Sequence, residues 1–103
     1  MIYHINEVEE FNNAIKDGKV FIDFFATWCG PCQMLAPVLE EMDRNNEFGD
    51  IKVIKVDVDE APEIAARYGV QSIPTLLLLE NGKLVDSRLG FMPKPMLLKF
   101  LGK

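Results

Sequence analysis

The chain of 103 residues has little of what membrane, secreted or nucleic-acid-binding proteins usually need. Cysteine occurs only twice, too rarely for the disulfide framework of a small secreted domain. No apolar run approaches the ~18 residues that span a bilayer. Eleven Lys and Arg stand against sixteen Asp and Glu, which gives a net charge of −5. This balance argues against nucleic acid or an anionic membrane surface as a partner, since both require a basic patch.

The composition is instead that of an ordinary globular domain. Apolar residues make up 49% of the chain and charged residues 26%, as is typical of folded proteins. A chain of this length buries roughly 65% of the surface that its unfolded form exposes, so it needs no structural metal. We therefore expect one domain over residues 1–103, without metal or cofactor. Residues 1–7 lack the basic and apolar segments of a signal peptide, so we expect a cytoplasmic protein.

Strand and helix patterns alternate along the chain. A continuously apolar run at residues 20–26, interrupted only by Asp23, predicts a central strand covered by helices on both faces. The pair Asn81-Gly82 predicts a tight hairpin, so the last two strands should be antiparallel. These patterns predict an α/β fold with a mixed sheet between helices. The predicted strands cover residues 3–5, 20–26, 51–57, 75–80 and 83–89, and the helices begin near Asn6, Cys29, Pro62 and Pro93.

Capping patterns predict where two of the helices begin. Asn6, followed by Glu9 three residues later, predicts a capping box at the first helix, with Gly18 as its end. Asp59 or Glu60, ahead of a proline, is expected to begin the third helix.

The chemistry of the chain is concentrated in the segment Trp28-Cys29-Gly30-Pro31-Cys32. Two cysteines at the junction of a buried strand and a helix place one sulfur outside the helix and one in its first turn. Cys29 can receive backbone N–H groups and the positive end of the helix dipole, which favour its thiolate. Cys32 should be shielded and remain a thiol. Such a pair suits disulfide exchange, in which one sulfur attacks and the second resolves the mixed disulfide.

The segment 28–32 resembles the active-site motif of the thioredoxin family, and the similarity covers nearly the whole chain. The resemblance implies a thioredoxin-like fold, with a five-stranded mixed sheet and four helices. It also implies a dithiol–disulfide oxidoreductase that reduces protein disulfides and is recharged by a thioredoxin reductase. Within the family's pattern, Ile73-Pro74-Thr75 corresponds to the cis-proline segment, and Leu89-Gly90 lies beside the site.

The resemblance also assigns roles to individual residues. Cys29 would attack and Cys32 would resolve, while Asp23 would be the buried acid/base for Cys32, with Lys55 as its tuning neighbour. Asp23 is the one acid in an apolar strand, so burial should raise its pKa. The Ile73 backbone would pair with an extended substrate strand. The remaining candidates form an apolar substrate-binding rim: Trp28, Gly30, Pro31, Ile73, Pro74, Gly90 and Phe91.

Two positions depart from the family's pattern. Gln33 stands where Lys or Arg usually follows the second cysteine, and Phe25 stands where many members have Trp. Both bear on the redox potential and on partner choice rather than on the exchange chemistry. Client proteins with disulfides and a reductase are the expected partners of a monomer.

Other functions remain open from the sequence alone. A redox-inert binding module, or a dimer bridged by a shared metal, could use the same surface. Disulfide reduction by the dithiol form would distinguish the enzyme from both. Within the enzyme class, an oxidase or isomerase is the nearer rival, because the sequence does not determine the reduction potential.

Overall fold

The computed structural model describes all 103 residues, and strands and helices follow one another in the predicted order. None of the helices has the length and apolarity that a membrane crossing requires. The first three strands differ from the predicted bounds by one residue at one or both ends. The strands are β1 Ile2–His4, β2 Lys19–Phe25, β3 Lys52–Asp57, β4 Thr75–Glu80 and β5 Lys83–Leu89. The helices are α1 Val8–Ala14, α2 Gly30–Arg44, α3 Pro62–Arg67 and α4 Lys94–Phe100.

The five strands form one mixed sheet in the order β1-β3-β2-β4-β5. β3 runs parallel to β1 and β2, whereas β4 runs antiparallel to β2 and β5. The central strand β2 is buried from Val20 to Phe24, as its continuous apolar run predicts. This confirms the predicted mixed five-stranded sheet with an antiparallel last pair.

Each face of the sheet has its own apolar core. Ile22 and Phe24 of β2 pack on one face with α1 and α3, whereas Phe21 packs on the other face with α2 and α4. Because side chains alternate along a strand, Asp23 and Phe25 share the α2 face with Phe21. The sheet therefore directs Asp23 toward the helix that begins at the cysteines.

The hairpin between β4 and β5 is closed by Asn81 and Gly82, as predicted. Their φ angles of 52° and 83° are the left-handed values that this tight turn requires. The Asn81 side-chain oxygen also accepts a hydrogen bond from the Gly18 backbone N–H at 2.8 Å. The hairpin is thus tied to the turn that precedes β2.

The predicted start and end of α1 were wrong. The helix begins at Val8, and the carboxylate of Glu7 caps it by accepting two backbone N–H groups of the first turn. Asn6 instead accepts the Asp57 backbone N–H at 2.9 Å, so a contact distant in sequence takes its side chain. The helix ends at Ala14, and Gly18 serves the turn into β2 with its φ of 76°.

The third helix begins at Pro62, as predicted, but the predicted capping residues were wrong. Ala61 precedes Pro62, and no side chain caps the helix. The two expected caps bind elsewhere: Asp59 accepts a hydrogen bond from Trp28, and Glu60 accepts one from Asn6.

Candidate active site

The turn between β2 and α2 holds both cysteines, which form a disulfide with their Cα atoms 5.2 Å apart. Cys29 is the N-cap of α2, and its Sγ accepts the Cys32 backbone N–H at 3.2 Å. Pro31 lies in the first turn, where the N–H that proline lacks would have no partner within the helix. The predicted placement, one sulfur outside the helix and one in its first turn, is confirmed.

The two cysteines are equally shielded in this disulfide form. Their exposed fractions are 5% for Cys29 and 4% for Cys32. Both pack with Ala26 in a small cluster that Phe25 and Ile73 adjoin. Cys32 is shielded, as expected, but Cys29 is shielded to the same extent, because one cluster encloses both sulfurs. The difference between them lies in the groups that they face.

The segment before β4 faces the outer cysteine. The peptide bond between Ile73 and Pro74 is cis, as the resemblance implies, and Cys29 Sγ lies 3.7 Å from the Ile73 carbonyl oxygen. The Gly90 backbone N–H donates to the Pro74 carbonyl at 2.8 Å. The structure therefore brings Cys29, Ile73, Pro74 and Gly90 together.

The rim around the disulfide exposes aromatic surface. Trp28 is 68% exposed and Phe91 37%, and Gly30 and Pro31 are also exposed. The Trp28 indole Nε1–H donates to the Asp59 carboxylate at 2.8 Å, which orients the ring. The sequence did not reveal Asp59 as a site residue, because its acidic neighbourhood is equally typical of a helix start.

Asp23 is completely buried, and neither of its carboxyl oxygens accepts a hydrogen bond from the protein. The Lys55 ammonium lies 4.0 Å from Asp23 Oδ2, and the two residues are register partners across β2 and β3. Burial raises the pKa of Asp23 from an ordinary 3.8 to about 6, although the Lys55 charge acts to lower it. Desolvation prevails because the ammonium is too distant to donate a hydrogen bond.

A cavity of about 210 Å³ that opens to the surface adjoins Cys32. Lys55, the partner of Asp23, lines it together with Phe25 and Gln33. The cavity therefore joins the surroundings of the buried ion pair to the inner cysteine, whereas Cys29 faces the Ile73 carbonyl.

Both departures from the family's pattern lie at this cavity. The Gln33 side-chain amide donates to the Thr27 carbonyl at 2.8 Å and spans the turn. The Phe25 ring lies under the Lys55 ammonium, with 4.6 Å between Nζ and the ring centroid.

No three His, Cys, Asp or Glu side chains are grouped to hold a metal ion.

The known proteins that are similar to this chain in sequence or structure include several thioredoxins. The family model described as thioredoxin matches residues 2–103. The thioredoxin of Bacillus subtilis (strain 168) is 50% identical over 96 residues, which cover 92% of this chain and 90% of that protein. A Staphylococcus aureus thioredoxin is 48% identical over 94 residues, covering 91% and 89%. The solved structure of oxidized mitochondrial thioredoxin 3 from Saccharomyces cerevisiae has a TM-score of 0.87 and 38% identity, covering 98% of this chain and 93% of that one.

Proposed function

The chain belongs to the thioredoxin family, and on that premise we propose that it reduces disulfides of client proteins and is recharged by a thioredoxin reductase. It is a protein-disulfide oxidoreductase, an electron carrier. The observation that carries the proposal is the Cys29–Cys32 disulfide at the start of α2, beside the cis-proline segment. We also propose that the protein is a monomer and that it acts in the cytoplasm, where reductases keep dithiols reduced.

The proposed reaction transfers two electrons in two exchange steps. The Cys29 thiolate attacks one sulfur of the client disulfide, and the other client sulfur leaves as a thiolate that takes up a proton. Cys32 then loses its proton and attacks Cys29 Sγ, which releases the second client sulfur and forms the Cys29–Cys32 disulfide. The reductase returns two electrons and restores both thiols.

The surroundings of the two sulfurs support these different roles. Cys29 Sγ receives a backbone N–H at the N-terminus of α2, and both the hydrogen bond and the helix dipole stabilise a thiolate there. Cys32 instead faces a cavity shared with Lys55. Asp23, whose pKa of about 6 suits proton exchange near neutral pH, would take the Cys32 proton as Cys32 attacks, and Lys55 would tune its pKa.

The client would bind across the rim. An extended client strand would pair with the Ile73 backbone, which lies beside Cys29. A cavity of about 340 Å³ lined by Trp28, Val58 and Ile73 would receive an apolar client side chain. Pro74 and Gly90 shape the backbone at this point, and the exposed Phe91, Gly30 and Pro31 extend the apolar surface.

Asp59→Ala should weaken client binding because it releases the Trp28 ring. We expect the KM for a protein disulfide to rise about fivefold, the equivalent of one hydrogen bond of about 1 kcal/mol, with kcat nearly unchanged. Trp28 is the only tryptophan, so its fluorescence reports directly on the loss. Glu63→Ala is the matched control, since it removes an exposed acid of α3. Equal KM values for the two variants would contradict a role for the Trp28–Asp59 bond.

A coupled assay tests the proposed function as a whole. With NADPH, a bacterial thioredoxin reductase and a disulfide-containing protein, we expect NADPH to be consumed in proportion to the client disulfides reduced. Cys29→Ser should remain at the background rate. A redox-inert binding module would give no turnover, and rapid exchange with glutathione but none with the reductase would refute the proposed recharging route.

A further inference from the structure

Phe25 contacts both parts of the exchange machinery. One face of its ring lies 4.6 Å from Lys55 Nζ, and the side chain adjoins the cluster that contains Cys29 and Cys32. The Lys55 side chain is only 11% exposed, and the closest carboxylate oxygen, on Asp23, is 4.0 Å away. The Phe25 ring and the Asp23 carboxylate are therefore the two groups that compensate the partly desolvated ammonium, and neither of them receives a hydrogen bond from it.

The attraction between a cation and an aromatic face grows when water is excluded. Without it, a buried ammonium gains free energy by turning toward water or toward other anions. Lys55 has such an alternative, because it also lines a second cavity of about 380 Å³, on whose wall lie Glu40 and Asp43. The Phe25 ring thus favours a position of the Lys55 ammonium near Asp23 over a position near Glu40 and Asp43.

We propose that Phe25 is a positioning residue that holds the Lys55 ammonium beside Asp23 and so sets the pH at which Asp23 exchanges its proton. The consequence for the Cys32 step rests on the proposed function. The position of Lys55 and the titration of Asp23 do not depend on the proposed function, and each can be measured separately.

The titratable groups around Lys55 come from three elements and from the chain terminus. On β1, the register partner of Lys55 is His4. The His4 ring meets the Phe25 ring edge-on, with the centroids 6.3 Å apart. Asp43 is paired with the N-terminal ammonium, which reduces its pull on Lys55. Of all carboxylates, only that of Asp23 lies within 4.0 Å of Nζ. The full set is Asp23 on β2, His4 on β1, Glu40 and Asp43 on α2, the amine of Met1 and, in the dithiol form only, Cys32 on α2.

The test is an NMR titration of the Asp23 side-chain carbon in the disulfide form. Phe25→Leu removes the aromatic face and keeps an apolar side chain, and it should raise the apparent pKa of Asp23 by about half a pH unit, because a cation that lowers it moves away. Phe25→Trp keeps an aromatic face and should leave the titration unchanged. In a Lys55→Met background, Phe25→Leu should have no further effect.

Two results of the titration would overturn the proposal: an unchanged titration in Phe25→Leu, or an equal shift with and without the lysine. The wild-type protein offers a measurement that no folding defect can obscure. The ring current of Phe25 should move the ε-methylene protons of Lys55 upfield of those of exposed lysines, and unshifted protons would refute the contact. If the titration shifts as expected but the rate of the Cys32 step keeps its pH dependence, the role of Asp23 fails while the positioning by Phe25 stands.

Discussion

Replacement of Cys29 by serine is expected to abolish disulfide reduction, whereas replacement of Cys32 by serine should trap a mixed disulfide. A serine hydroxyl at position 29 cannot form the attacking thiolate, so the rate should fall on the order of 10⁴-fold. A serine at position 32 leaves the first attack possible, because the N-cap site around Cys29 Sγ depends on the Cys32 backbone N–H rather than on its thiol. Without a resolving thiol, the client stays bound through Cys29.

Mass spectrometry of each variant mixed with a disulfide-containing client measures this outcome. The Cys32→Ser protein should gain the mass of one covalently attached client, removable by dithiothreitol. The double variant Cys29→Ser/Cys32→Ser should gain nothing. A covalent adduct on Cys29→Ser, together with none on Cys32→Ser, would mean that the roles of the two cysteines are reversed.

Asp23→Ala should make the protein more stable and its second exchange step slower. Burial without hydrogen bonds raises the pKa of Asp23 to about 6, so the folded state holds this proton more tightly than the unfolded state does. The stability that the neutral acid provides is complete below the unfolded value of 3.8 and is lost as the pH rises through about 6. The folded and unfolded pKa values of Asp23 differ by about 2 pH units. At pH 7 this difference corresponds to a loss of roughly 3 kcal/mol in the free energy of unfolding.

Urea unfolding at two pH values separates this effect from simple repacking. We expect Asp23→Ala to gain about 1–4 kcal/mol at pH 7 and much less at pH 4, where the wild-type carboxyl is already neutral. A similar gain at both pH values would mean that the carboxyl charge is not its cause.

Exchange kinetics test the catalytic part of the same prediction. With Asp23→Ala, release of the mixed disulfide should slow, while the first attack by Cys29 stays largely intact. A variant that unfolds, or one that leaves every exchange rate unchanged, would refute the assignment of Asp23 as the acid/base of Cys32.

The features predictable from the sequence are those that neighbouring residues determine. The apolar run around Asp23 is too continuous for a half-exposed strand, and it lies at the centre of the sheet. Asn81-Gly82 determines its own turn, and Cys29 becomes the N-cap of α2 because a proline two residues later suits a first helical turn. In each case the local chain contains the whole physical cause.

The features that could not be predicted depend on partners distant along the chain. Asn6 has the composition of a helix cap, but the Asp57 backbone 51 positions away competes for its side chain. Asp59 meets Trp28, and Phe25 meets Lys55, only after β2, β3 and the following turns come together. The cis bond before Pro74 followed from the resemblance alone, because most X–Pro bonds are trans.

The equilibrium potential of the Cys29–Cys32 pair tests most directly whether the protein acts as a reductant of client disulfides. The oxidized and reduced forms can be separated after equilibration with mixtures of reduced and oxidized dithiothreitol or glutathione. A potential of about −270 mV, the value typical of thioredoxins, is the predicted result. A potential of about −180 to −120 mV, the range of disulfide isomerases and oxidases, would contradict a role as a reductant of client disulfides.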